Sequence, residues 1–332
     1  MKQIPLNFLT LYADLQQSLS LSNGRGGTIA VKTVHGKKRL YAVERQGSTY
    51  KQKYIGEAGD PAAQSVASRI KRQAEESKVR KSTVSALKRA RIPAPDLYMG
   101  RLLEVLAEAG IFEAGGVLVG TGAYQLYPCL VGAFLMSGLM TKDADLAVPP
   151  GAALVSGAAM PLEDILRRAD PSFEARMNRD HKWPQVFVAQ SGFQFDVLTT
   201  VRRTKGQVHL KALAAAAAPL HYLEYLIDEP VEAVALYGSG VLVKVPQPAR
   251  YAIHKLIVSG LRSETSPKRQ KDLLQSADIF DAFKMREPGL VADAIEDARA
   301  RGPKWRKLID QGLKQIGRGV DGLPLVKAGD TA

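Results

Sequence analysis

The chain has 332 residues, of which 45% are hydrophobic and 24% charged, so its composition is that of a soluble globular protein with room for two or three domains. Its single cysteine, Cys129, excludes a disulfide framework and a cysteine-based metal cage, and favours a reducing, cytoplasmic location. The net charge of +13 is unevenly distributed, because residues 1–100 alone carry a net +11. This pattern indicates a polyanionic partner such as nucleic acid, although lysines that only keep a surface solvated would produce it too.

The amino-terminal residues do not have the pattern of a secretory signal, because Asp14 and paired glutamines interrupt their apolar run. The longest uncharged stretch, residues 114–140, is long enough to cross a bilayer. Its many glycines and Pro128 instead favour a buried strand, a glycine turn and a short helix. We therefore expect no membrane association.

Residues 28–56 alternate apolar with polar side chains and predict a three-stranded antiparallel meander. Its turns are expected at His35-Gly36-Lys37 and Gln46-Gly47-Ser48. Basic and aromatic side chains interleave here, which suits a surface that follows a phosphate backbone and stacks on bases. Tyrosines on a small sheet also commonly form its core, so both interpretations stay open. The side chains concerned are Lys32, Lys37, Lys38, Arg39, Tyr41, Arg45, Tyr50, Lys51, Lys53 and Tyr54.

A polar and basic helical segment is predicted to begin at Pro61 and to end before Pro93 and Pro95. It has too few apolar positions for a central core helix, so we interpret it as an arm. Residues 1–95 are thus predicted to form a basic amino-terminal region made of the meander and this arm.

Residues 96–245 are predicted to form a central domain in which helices alternate with strands, giving a mixed-sheet α/β, or α+β, fold. An amphipathic helix opens it, and the alanine run at 212–219 is interpreted as a helix end or a packed turn. The apolar face of the opening helix is expected to contain Met99, Leu102, Leu103, Leu106 and Ile111. The other expected elements are strands at 115–120 and 142–148, a turn and helix at 121–134, a helix at 164–169, a hairpin of 184–190 and 193–200, and an edge strand at 207–213.

Residues 246–332 are predicted to form a carboxy-terminal helical bundle. Four segments have helical spacing and lie between proline or glycine breaks. They cover residues 248–262, 266–283, 288–302 and 303–317.

Three aspartates occur where a strand normally carries apolar side chains. Asp143 and Asp145 stand two positions apart, so their carboxylates point to the same face of the strand. Asp196 interrupts a later apolar strand, and the three acids converge if the two strands are neighbours. Buried carboxylates that repel one another need a cation, and Mg²⁺ or Mn²⁺ suits an oxygen-only site. Each acid also has a simpler interpretation: a turn cap for Asp143, an ion pair with Lys142 or Arg202 for Asp145, and a basic neighbour for Asp196.

A glycine turn upstream suits a nucleotide phosphate. Gly120, Thr121 and Gly122 stand at a predicted strand end just before a helix, where backbone N–H groups and a hydroxyl can hold phosphate oxygens. The segment lacks both the GxGxxG spacing of dinucleotide-binding folds and the GK[ST] of a P-loop. As a lone motif, this turn carries little weight.

Taken together, these residues resemble the DNA-polymerase-β-like nucleotidyltransferase superfamily, whose pattern is a hydrophobic-Gly-[Ser/Thr] strand end, a helix, a D-x-D strand and a later single Asp. The resemblance covers roughly residues 96–285. It implies a mixed sheet flanked by helices, and metal-dependent transfer of a nucleoside monophosphate from a nucleoside triphosphate with loss of pyrophosphate. The matching residues are Gly120 and Thr121, Asp143 and Asp145, and Asp196.

Two features depart from the superfamily pattern. Thr121 stands where serine is commoner, and the gap from Gly120 to Asp143 is longer than usual. A long gap that ends in T-x-D-x-D resembles the motif spacing of a group of poorly characterised bacterial nucleotidyltransferase-fold proteins.

The resemblance also implies roles for individual residues. Asp143 and Asp145 are expected to hold the nucleotide-bound metal ion and, with Asp196, a second ion, which makes these acids both metal ligands and catalytic residues. Gly120 and Thr121 are expected to seat the phosphates. Lys255 lies on a segment that resembles the helix behind the active site, with Lys268 and Lys271 as further phosphate-binding candidates. Arg262 offers a two-pronged grip on phosphate, and the remaining acids of this region, Asp272, Asp278 and Asp281, are expected on helix surfaces.

The acceptor is expected to be RNA, such as the end of a tRNA, placed by the basic amino-terminal region. The same fold modifies proteins and small molecules, so a protein acceptor or partner stays open. A second class of function also stays open, namely a nucleic-acid-binding or toxin–antitoxin-type interaction protein whose transferase core is inactive.

Overall fold

The structure is a computed structural model, and it describes residues 1–21, 28–46, 49–135, 141–150, 160–176, 183–201, 208–284, 286–319 and 322. Within these ranges, no helix is both long enough and apolar enough to cross a membrane.

The amino-terminal region contains the predicted meander and a single long helix. The three strands pair in the order β1-β2-β3, antiparallel throughout, which confirms the prediction. The expected turn at Gly47-Ser48 lies outside the described residues. A helix that precedes the meander was not predicted. The elements are α1 Leu6–Ser20, β1 Thr28–Val34, β2 Lys37–Gln46, β3 Thr49–Glu57 and α2 Pro61–Arg89.

One face of the small sheet packs against the start of α2. Asp60 caps this helix by accepting a hydrogen bond from the backbone N–H of Ala62, and Pro61 occupies its first position. Leu40 of β2 forms a small core with Ala63 and Ala67 of α2, and three apolar neighbours complete it: Ile29, Ile55 and Ala58.

The central part of the chain alternates short helices with strands, as predicted. The elements are α3 Leu97–Glu108, β4 Val117–Val119, α4 Gly120–Tyr124, α5 Pro128–Val131, β5 Asp143–Ala147, α6 Leu162–Arg167, β6 Glu174–Arg176, β7 Val186–Val188, β8 Gln194–Thr200, β9 Val208–Leu210, β10 Ala215–Leu220, α7 Leu223–Leu226, β11 Val231–Ala235 and β12 Val241–Val245.

Seven of these strands form one mixed sheet, which confirms the α+β fold. Its path is β4-β5-β8-β10-β9; β5, β8 and β10 run parallel, whereas β4 and β9 are antiparallel to their neighbours. β7 pairs antiparallel with β8 and carries β6 on its other side, so the predicted hairpin between β7 and β8 is present. The strands β11 and β12 form a separate hairpin.

One expectation for this region was wrong in part and another was wrong. The alanine run begins as a helix end, since Ala212 and Leu213 belong to a 3₁₀ helix that ends at the left-handed Ala214. From Ala215 onward the run forms strand β10, because pairing with β9 and then with β8 overrides the helix propensity of alanine. Ala215, Ala216 and Ala217 are fully buried there. The opening helix α3 ends at Glu108, so Ile111 is buried just beyond the helix and not on its face.

The carboxy-terminal region is helical, as predicted, and each helix begins with a proline, whose fixed φ suits the first turn. These helices share one large apolar core with the seven-stranded sheet. Their bounds are α8 Pro248–Leu261, α9 Pro267–Lys284, α10 Pro288–Ala300 and α11 Pro303–Gln315. The predicted domain boundaries at residues 95 and 245 stay a prediction.

A second apolar cluster joins the amino-terminal helices to the β11–β12 hairpin. Tyr12 and Leu15 of α1 pack with Leu87 of α2 and with Val234 and Leu236. The backbone N–H of Val234 donates a 2.7 Å hydrogen bond to the Tyr12 hydroxyl, which is buried with the ring at 4% exposure. This contact attaches α1 to the central region.

We expect Tyr12→Phe to lower the free energy of unfolding by about 1–3 kcal/mol, because the buried Val234 N–H then loses its acceptor. Urea unfolding followed by circular dichroism measures the change. Tyr50→Phe is the matched control, since Tyr50 is 67% exposed. Equal stability of the two variants would show that this hydrogen bond contributes nothing.

Candidate active site

The three predicted aspartates lie together on one face of the seven-stranded sheet. In the parallel pairing of β5 with β8, Asp145 stands directly opposite Asp196, and Asp143 stands opposite Gln194. All four side chains occupy the partly exposed face of the sheet. The alternate residues of both strands, Ala144, Leu146, Phe195 and Val197, are buried in the main core.

The burial and crowding of these carboxylates raise the pKa values of Asp145 and Asp196. Burial, and after it the negative charges of Asp143 and Asp196, together raise the pKa of Asp145 from 3.8 to about 6. Burial also raises the pKa of Asp196, against the effect of a hydrogen bond from Gln194. The site therefore favours any positive charge that can share these oxygens.

Two neighbouring side chains occupy some of the carboxylate oxygens. The Gln194 amide donates a 2.6 Å hydrogen bond from Nε2 to Oδ2 of Asp196, and the Thr141 hydroxyl donates to Oδ1 of Asp143. None of the three aspartates forms an ion pair with a lysine or arginine in the described ranges, so the expected pairing of Asp145 with Lys142 is not observed, and Arg202 lies outside those ranges.

A ready-made metal cage is not present in the described part of the chain, where no three His, Cys, Asp or Glu side chains are arranged closely enough to hold a metal ion. The donor set itself is one that hard cations prefer, namely carboxylate oxygens on two adjacent strands.

The glycine turn lies against the aspartates. Val119 pairs with Asp145 across β4 and β5, and Gly120 follows immediately with a φ of +64°. A Cβ at Gly120 would stand 2.3 Å from Oδ2 of Asp145, so a side chain at this position would displace the carboxylate. Thr121, in the same turn of α4, is buried.

Tyr251 of α8 connects the helical region to this turn. Its hydroxyl lies 3.1 Å from the Gly120 carbonyl oxygen and 2.9 Å from Oε1 of Gln275, and can donate to either. The ring of Tyr251 stacks on Tyr124 of α4. The carboxy-terminal helices therefore help to fix the position of the glycine turn.

Lys255 takes part in a buried ion-pair cluster. Its Nζ lies 2.6 Å from Oδ1 of Asp272, and Nε of Arg262 lies 2.8 Å from Oδ2 of the same carboxylate. Asp272 is 2% exposed, so its expected place on a helix surface was wrong. The charge of Lys255 also lowers the pKa of Asp145, although its ammonium is ion-paired with Asp272.

Two further lysines come from the first turns of α9. The charge of Lys268 lowers the pKa of both Asp145 and Asp196. Burial and the nearby Lys255 lower the pKa of Lys271, while Asp143 opposes that shift. The beginning of α9 therefore places positive charge beside the carboxylates.

Sequence reasoning missed the residues that support the site. Gln194 could have been found, because it stands two positions before Asp196 on the same face of β8. Tyr251 stands four positions before Lys255 on α8, which places the two on one helix face. Nothing in the sequence indicates that Tyr251 and Gln275 meet at Gly120, since this contact joins distant segments.

The arrangement combines a cluster of acids, a glycine turn and a group of lysines. Carboxylates of this kind bind divalent cations, and backbone N–H groups and lysines bind phosphate oxygens. A site with both parts is suited to a metal-bound polyphosphate.

Comparison with known proteins shows the family to which the chain belongs. A family model described as Nucleotidyltransferase matches residues 98–300, well over half of the chain. Among solved structures, the chain is similar to an antigenic nucleotidyltransferase-like protein from Paracoccidioides brasiliensis, with 14% sequence identity over 65% of this chain and 94% of that one, and a TM-score of 0.36. No curated protein sequence shows a significant match. The chain belongs to this nucleotidyltransferase family.

Proposed function

We propose that this protein transfers a nucleoside monophosphate from a nucleoside triphosphate to an acceptor hydroxyl. The oxygen of the acceptor forms a bond with the α-phosphorus, the bond from that phosphorus to the bridging oxygen breaks, and pyrophosphate leaves. The observation that carries the proposal is the in-register pairing of Asp145 with Asp196, with Asp143 on the same face and Gly120 against Asp145.

Asp143, Asp145 and Asp196 would hold the metal, either Mg²⁺ or Mn²⁺. The fit rests on the donor chemistry of three carboxylates on adjacent strands, where burial, and after it the charges of Asp143 and Asp196, raise the pKa of Asp145. When bound, such ions lower the pKa of an attacking hydroxyl and offset the charge of the reacting phosphate. The three carboxylates are therefore both the metal ligands and the catalytic residues of this proposal.

The remaining groups would position the triphosphate. Gly120 leaves the backbone beside Asp145 open to a phosphate, and Thr121 stands next in the same turn. Lys271, with Lys268, supplies charge from α9. Lys255 would contribute less directly, because it shares its charge with Asp272.

RNA is the acceptor that the charge distribution favours, since the first 100 residues carry +11 of the net +13. A tRNA end is one such acceptor. We also propose that the chain belongs to the bacterial subgroup of nucleotidyltransferase-fold proteins. This finer assignment is based on the long gap between Gly120 and Asp143.

We expect Asp143→Asn and Asp196→Asn each to lower the transfer rate about 10³-fold or more, equivalent to about 4 kcal/mol of lost charge stabilisation. The assay follows labelled NTPs with Mg²⁺ and cellular RNA or protein as acceptors. Asp164→Asn is the matched control, because Asp164 is exposed on α6. Retention of more than a tenth of the wild-type rate by either site variant would refute the assignment, and label on protein alone would replace RNA as the acceptor.

We expect Asp145→Asn to stabilise the metal-free protein while abolishing transfer. The pKa of Asp145 is raised from 3.8 to about 6 in the folded state, so the wild type loses stability as the pH rises from about 4 to about 6. In EDTA at pH 7, the free energy of unfolding of the variant should exceed that of the wild type by about 2–3 kcal/mol. The difference should shrink at pH 4.5. A variant less stable than the wild type at pH 7 would contradict this electrostatic account.

We expect a nucleoside triphosphate to raise the melting temperature only when Mg²⁺ or Mn²⁺ is also present. A ligand at about 100 times its Kd adds about 2.7 kcal/mol of stability, which corresponds to a rise of a few degrees. Asp143→Asn should lose this rise. Absence of any shift in the wild type would favour the alternative of an interaction protein with an inactive core, and an equal shift in EDTA would remove the metal from the proposal.

A further inference from the structure

The face of the β1–β2–β3 sheet that points away from α2 carries aromatic and basic side chains. Antiparallel pairing places Lys32 opposite Arg39, and Tyr41 opposite Tyr54. We propose that this face, defined by Lys32, Arg39, Tyr41 and Tyr54 and called here the tyrosine face, binds single-stranded nucleic acid by base stacking. The inference deepens the proposed function, on which it rests, by assigning the surface that holds an RNA acceptor.

The two tyrosines form a pair at the centre of this face. Their ring centroids are 5.4 Å apart, with the planes tilted by 57°. Tyr54 is 49% exposed, and Tyr41 is partly buried. Rings held side by side on a rigid sheet give unpaired bases a surface to stack on, as in other sheet-based readers of single strands.

These tyrosines are not the core of the small sheet. Leu40, on the opposite pleat, packs with Ala63 and Ala67 of α2, and Ile29 and Ile55 complete that cluster. The apolar contacts that hold the sheet on α2 therefore come from the other side. The alternative interpretation of the tyrosines as core residues is wrong for Tyr41 and Tyr54.

A cation stands over each ring. Nζ of Lys32 lies 5.4 Å from the centroid of Tyr41, and the guanidinium carbon of Arg39 lies 5.9 Å from that of Tyr54. Glu57, which pairs with Arg39 across the strands, forms its ion pair with Lys37 instead, at 3.0 Å. The charges of Lys32 and Arg39 therefore stand beside the rings, while Nε of Arg39 is itself buried.

The combination of two cations and two tyrosine rings indicates which kind of ligand the tyrosine face binds. Phosphates complement Lys32 and Arg39, and exposed bases complement the rings, so a flexible strand can satisfy both. A duplex hides the base faces, and an acidic peptide offers charge without them. Single-stranded nucleic acid is the ligand that uses every group on the tyrosine face.

The test measures binding of a fluorescein-labelled 12-nucleotide single-stranded RNA by the full chain, in EDTA and without nucleotide, so that binding is separated from transfer. Tyr41→Leu and Tyr54→Leu should each weaken binding about tenfold, whereas Tyr41→Phe and Tyr54→Phe should stay within about twofold of the wild type. Lys32→Gln with Arg39→Gln should reduce the slope of log K against log salt by about 1.4, for two lost phosphate contacts.

The matched control is Lys38→Gln with Lys53→Gln, which removes two charges from the opposite face of the same sheet. Equal losses from the two charge pairs, equal binding of a duplex of the same sequence, or equal displacement of RNA by polyglutamate would overturn the proposal. Circular dichroism melts check that each variant is folded, and the phenylalanine variants keep the test decisive if a leucine variant is not. Transfer by a wild-type protein that fails to bind the strand would leave the proposed function standing without this surface.

Discussion

The register between β5 and β8 is the constraint on which the candidate site depends. It places Asp145 directly opposite Asp196, so that two carboxylates of like charge lie side by side on adjacent strands. Their partial burial and their mutual repulsion both disfavour the ionised carboxylates. The sheet holds them together nevertheless, because the other faces of both strands are anchored in the main core. The fold thus maintains a point of concentrated negative charge.

The glycine turn and the lysines of the carboxy-terminal helices lie around these aspartates. The left-handed Gly120 allows the end of β4 to approach the Asp145 carboxylate without a side chain between them. The helices α8 and α9 contribute lysines, and Asp272 moderates the charge of Lys255. The three aspartates therefore lie on β5 and β8 and the lysines on α8 and α9, an arrangement suited to a ligand that carries both a cation and phosphates.

Local patterns allowed much of this to be predicted from the sequence. Period-two alternation placed Asp143 and Asp145 on one face, and prolines marked the start of each carboxy-terminal helix. The alanine strand β10 could not be predicted, because only its two neighbouring strands make an alanine run extended. Asp272 was misplaced for a related reason, since its partner Lys255 lies on another helix and a single helix pattern does not reveal burial by a neighbour.

The hydrogen bond between Tyr251 and the Gly120 carbonyl has a consequence for where the functional unit ends. A shortened protein that stopped after β12 would retain all three aspartates and the whole seven-stranded sheet. It would nevertheless lack the brace on the glycine bend and every lysine of α8 and α9. The smallest piece that keeps the whole candidate site therefore extends through α8 and α9, and exchanging those helices between relatives would alter the site itself.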